Sequence, residues 1–91
     1  MSENKLLIGS LSNDLSRVAN SSYRGSHKAA EIFWAQAQRW VSDLKSYKNK
    51  PYIEKIIDSL SKEKLDPTDS AQAEKNLMYS ILLQNYTLSL D

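Results

Sequence analysis

Ninety-one residues leave room for one domain, and 41% hydrophobic with 25% charged residues is the composition of a globular chain rather than a disordered one. The lack of cysteine excludes a disulfide framework and a cysteine-built zinc site, and two Gly with two Pro are too few for the turns of a β-sandwich or barrel. A formal net charge of +1 selects neither nucleic acid nor an acidic membrane as the partner.

The first predicted helix covers residues 3–19. Leu7, Leu11, Leu15 and Val18 recur at spacings of four, four and three, flanked by Ile8 and Ala19, with Ser12, Asn13, Ser16 and Arg17 pointing elsewhere. Gly9 and the many Ser and Asn lower its intrinsic helicity, so packing must hold it. The stretch 20–25 reads as a frayed end and a loop. The run Leu6-Leu7-Ile8 is too short for a signal-peptide core, and no stretch approaches the ~20 apolar residues that span a bilayer. A soluble, cytoplasmic protein is expected.

Residues 26–48 carry the strongest helical signal. Ala30, Phe33, Ala37, Trp40, Val41, Leu44 and Tyr47 share one face, widened by Trp34, and Ser26 stands as the N-cap. Such a face marks this segment as the central element of a bundle. Pro51 opens a shorter helix over 51–62, because proline suits the first helical position; Ile53, Ile56, Ile57 and Leu60 form its stripe. Residues 61–65 make a polar exit. Asp66 as N-cap, Pro67 at the first position and Asp69 in the first turn then start a last helix over 67–88. Its core stripe is expected to be Leu77, Ile81 and Leu88, continued by Ala73. Met78, Tyr79, Leu82, Leu83, Tyr86 and Leu90 occupy much of its remaining circumference. A helix apolar nearly all round is either the inner member of the bundle or partly turned toward another chain.

Chemistry-bearing constellations are scarce. His27 is the sole histidine; it does not face its neighbour Ser26 on a helix, and with Glu31 it makes only half of a transition-metal site. The pairs Glu54/Asp58 and Asp66/Asp69 have no apolar wall to raise a carboxyl pKa, and read as a solvated face and a helix cap. No glycine-rich phosphate loop, GxSxG elbow or HExxH occurs. No cofactor or metal is therefore expected, and no enzymatic activity.

Two binding surfaces remain. Tyr79, Leu82, Leu83 and Tyr86 are candidates for a partner or self-association face, since they exceed what one small core needs. Arg39, Lys45, Lys48 and Lys50, interleaved with Trp40, Tyr47 and Tyr52, form a basic patch that could grip nucleic acid. Against the second stand the dipole-complementing role of lysines at a helix end and a turn too long for a helix-turn-helix. Residues 1–50 carry eight Lys/Arg against four Asp/Glu, and residues 51–91 four against seven, leaving halves of net +4 and −3. Such halves can pair within one molecule or between two. The expectation is an all-α, antiparallel bundle of four helices with a short third one, forming a single domain over 1–91. Its expected role is a non-catalytic protein-interaction module that binds another protein or itself, with a homodimer as one form. The alternative is a small nucleic-acid-binding regulator.

Overall fold

The computed structural model describes residues 3–89. Its first helix, α1 (Glu3–Tyr23), runs past residue 19 because the signal that ends it is Gly25 and not the polar run before it. Gly25 adopts a left-handed φ of 74°, donates to the Ser22 carbonyl, and lets Ser26 N–H reach back to the Ser21 carbonyl at 2.8 Å. This is the double closure that a C-terminal glycine permits and that any side chain would strain. The turn delivers the chain into α2 (His27–Leu44), with Ser26 preceding it but making no side-chain cap.

The second helix stops at Leu44, short of the expected residue 48. Pro51 forces Lys50 into extended backbone, with ψ at 150°, so the helix cannot run into it. Asn49 turns inward and its Nδ2 donates to the carbonyls of Leu44 and Tyr47, satisfying groups that the helix end leaves open. Beyond it, α3 (Pro51–Lys62) buries Ile53, Ile56, Ile57 and Leu60, the expected stripe in full.

The last helix, α4 (Ser70–Ser89), begins later than expected. Asp66 spends its Oδ1 on the Thr68 hydroxyl and N–H, which makes a turn of Pro67–Thr68. Asp69 is the residue that caps, its Oδ1 accepting from Ala71 N–H at 2.9 Å and Gln72 N–H at 3.3 Å. The Thr68 hydroxyl, helped by its N–H, holds the exposed Asp66 carboxyl below the usual carboxylate range. Gln72 ties the connection down, accepting from Asp66 N–H and donating to the Lys64 carbonyl.

The four helices make an all-α bundle whose third member is short, but its central element is α1 rather than α2. The first helix packs along both α2 and α4, while α3 closes against α2. Two-sided packing explains why α1 buries Ser12, Asp14 and Ser21 as well as Ile8, Leu11, Leu15 and Val18, with Leu7 of the expected stripe only half-buried, although its sequence shows only one apolar face. The core joins Ile8, Leu11 and Leu15 of α1 to Ala37, Val41 and Leu44 of α2 and to the four apolar residues of α3. From α4 it takes Leu83 alone, with Tyr79 and Tyr86 packed against it. Among the described residues, no helix is long and apolar enough to cross a membrane.

Candidate functional site

The outward half of α4 follows from what its inward half must satisfy. Ser12 Oγ on α1 donates to the Ser80 carbonyl at 2.7 Å, a contact that brings the two helices close and fixes which side of α4 faces in. Ala73, Asn76, Ser80 and Leu83 are the buried residues of that side. Two further contacts hold the setting from α3: Ser59 Oγ lies 3.2 Å from the Tyr79 hydroxyl, and Tyr86 meets Tyr52 edge-on at 5.7 Å between ring centroids. Lys75 pairs with Glu63 beyond the end of α3, and that hydrogen bond raises the Lys75 pKa above the ordinary lysine value. A raised lysine stabilises fully below its ordinary pKa and loses that contribution as pH climbs through the raised value, so the lysine's share of this tie is lost only in strong alkali.

With small and polar residues turned in, apolar residues are left out. Met78, Ile81, Leu82 and Leu88 are all exposed, Leu88 to 67%, and Leu77 is half-buried beside them. The stripe Leu77, Ile81 and Leu88, expected in the core, is therefore corrected to the outer side. Tyr23, at the end of α1, stands next to this strip and completes a groove of about 380 Å³ with Glu74, Leu77, Met78, Ile81 and Leu82. From Asn76 to Ser89 the helix carries no charged residue. Isolated exposed leucines are ordinary on a small protein, whereas the cluster of Leu77, Met78, Ile81 and Leu82 is not; Leu88 stands farther along, beyond exposed Gln84 and Asn85.

Of the four residues expected on a partner face, only Leu82 belongs to the strip. Leu83 is fully buried and is corrected to core, and Tyr79 and Tyr86 lie half-buried against it with their rings engaged as above. Leu90 lies outside the described residues. The residues missed were Tyr23, Met78 and Ile81; a helix apolar nearly all round gives no signal for Met78 and Ile81, and Tyr23 lies at the end of α1, in the stretch read as a loop.

The basic patch is not a single built site. Arg39, Lys45, Lys48 and Lys50 are all exposed. Trp40, however, turns inward and donates its Nε1–H to Asp14 Oδ2 at 2.7 Å, while Tyr52 stays exposed with one edge contact to Tyr86. Lys45 shares a small cleft with Glu54 and Asp58, which offset its charge. His27 and Asp69 line another cleft, between the α1–α2 turn and the start of α4, but there Asp69 is occupied as the helix cap. Among the described residues, no three His, Cys, Asp or Glu side chains are grouped so as to hold a metal ion.

The inner side of α4 carries one unusual cost. Asn76 is wholly buried, and neither its Nδ2 nor its Oδ1 has a hydrogen-bond partner. A buried amide without partners costs about 1–3 kcal/mol, and leucine has nearly its shape. Asn76→Leu is expected to stabilise the fold by about 1–2 kcal/mol, seen as a Tm rise of roughly 5–15 °C. A lowered Tm would show instead that the amide is satisfied, for example by a buried water.

No protein-family model, no curated protein and no solved structure matches this chain.

Proposed function

We propose that this chain is a non-catalytic protein-interaction module that engages its partner through the outward face of α4, in a cytoplasmic setting. The observation that carries the reading is the inverted placement of residues on this helix. Asn76 and Ser80 are buried, while Met78, Ile81 and Leu82 remain exposed beside Tyr23. A small domain has little apolar surface to spare for its own core, so an uncharged apolar strip on the outside has value only when something covers it. The groove beside Tyr23 gives the strip relief, which suits an inserted apolar side chain.

Affinity capture tests this reading by comparing the unaltered chain with Ile81→Glu and Leu82→Glu, each first shown by circular dichroism to be folded. A partner held by the unaltered chain and lost by both variants is the expected result. Identical capture by all three would overturn it. The nucleic-acid alternative has its own arm: a salt-sensitive mobility shift with DNA or RNA, abolished by charge reversal at Lys45 and Lys48, would move the function to the α2–α3 end.

A further inference from the structure

We infer that the occupant of this face is a second copy of the chain, docked with α4 antiparallel to its counterpart about a two-fold axis passing between Ile81 and Leu82. The inference rests on the reading of α4 as an interaction face and names what covers it. Its first support is shape. The groove lies toward the N-terminal half of the strip, between Tyr23 and residues 74–82, and the most exposed apolar side chain, Leu88, lies at the other end. An antiparallel two-fold brings Leu88 of each copy opposite residue 75 of the other, at the groove, so one knob-and-groove contact is made twice. Such an isologous contact needs only one apolar patch. A head-to-tail contact would need a second, and the exposed Leu6, Ile32 and Tyr52 stand singly on α1, α2 and α3.

Charge selects the same arrangement. Glu74 is the one charged residue in the groove. In the antiparallel dimer the two Glu74 side chains sit near opposite ends, about 22 Å apart along the helices, which is more than twice the screening length at physiological salt. A parallel pairing would set them against each other. The helix dipoles also favour opposed directions.

Area is sufficient. Half-exposed Tyr23, Met78, Ile81 and Leu82 with Leu88 offer roughly 500 Å² of side-chain surface per copy, against about 800 Å² per partner in a standard stable interface. Exposed Glu74, Asn85 and Ser89 share this outward face with the apolar residues and would be covered with them.

The chain has no cysteine, so any disulfide in a single-cysteine variant joins two copies. Under mild oxidation Ile81→Cys is expected to become a covalent dimer. Ser89→Cys stays largely single, because antiparallel packing holds its two sulfurs about 22 Å apart along the helices, beyond disulfide reach. The unaltered chain is expected to sediment at twice its 10.4 kDa and Ile81→Glu at that mass. An unaltered chain that remains single up to about 1 mM would overturn the dimer, as would crosslinking of Ser89→Cys at the rate of Ile81→Cys. A single chain whose capture of another protein is still lost in Ile81→Glu would retire the second copy and leave the interaction reading standing. Loss of both results would retire both.

Discussion

Leu15→Ala is expected to destabilise the protein by about 3–5 kcal/mol, the upper part of the range for a leucine truncated in a core that cannot collapse around the loss. Leu15 is fully buried on α1, the helix that packs along both α2 and α4, so the cavity opens between elements held from two sides. A domain of this size has a total stability of roughly 5–14 kcal/mol, which makes this one substitution a large fraction of the whole. A urea titration followed by circular dichroism would show the midpoint displaced far toward zero denaturant with the slope unchanged. Leu82→Ala, on the outer side of α4, is expected to change stability by less than about 0.5 kcal/mol in the dilute protein. A loss below about 1 kcal/mol for Leu15→Ala would mean that α1 is not the central helix.

Asp14→Ala is expected to cost about 2–4 kcal/mol, for a different reason. Its side chain is only 5% exposed and accepts two hydrogen bonds, from Trp40 Nε1 at 2.7 Å and from Arg17 at 3.2 Å. Removing the carboxylate strands the indole N–H of Trp40 in the α1–α2 contact. Arg17, by contrast, is largely exposed, lies against the Phe33 ring at 5.6 Å and can rehydrate. Most of the loss should therefore be coupled to Trp40. In a double-mutant cycle with Trp40→Phe, the coupling is expected to reach about 1–3 kcal/mol, and Asp14→Asn, which keeps an acceptor for the indole, should lose less than Asp14→Ala. Additive effects of the two single substitutions would show that the bond contributes nothing to holding α1 on α2.

How much of this was legible depends on how one-sided each helix is. Ile53, Ile56, Ile57 and Leu60 have charged neighbours on every other side, so their periodicity alone turns α3 correctly. The apolar face of α2 was equally plain, and Ala30, Ala37, Val41 and Leu44 are its buried residues. The rank of α1 was not, because a central helix must bury polar residues that a sequence pattern assigns to solvent. Asp14 and Ser12 are inside only because Trp40 and the Ser80 carbonyl wait for them across helix contacts. Helix ends were misplaced where several nearby residues could cap and the pattern does not choose among them: Asn49 closes α2 at Leu44, and Asp69 rather than Asp66 caps α4.

The outward face of α4 was half legible. An excess of apolar residues on α4 is visible in the sequence, but its rotation is not. Leu77, Ile81 and Leu88 form as good a stripe as any on that helix, and nothing local speaks against it. The setting is chosen by small residues that let α4 approach α1, and by Tyr79 and Tyr86 reaching α3. That choice leaves an unsatisfied Asn76 inside and an apolar strip outside. The two oddities thus have one cause, the rotation of α4.

Thermal unfolding of Ile81→Glu beside Leu83→Glu, at concentrations low enough to keep copies apart, tests that rotation most directly. If α4 sits as described, a glutamate at 81 reaches water and the protein melts within a few degrees of the unaltered chain. A glutamate at 83 lies where no solvent reaches, and the fold is lost or deeply destabilised. The opposite order, with position 81 intolerant and position 83 indifferent, would put the stripe of Leu77, Ile81 and Leu88 back in the core and remove the proposed interaction face.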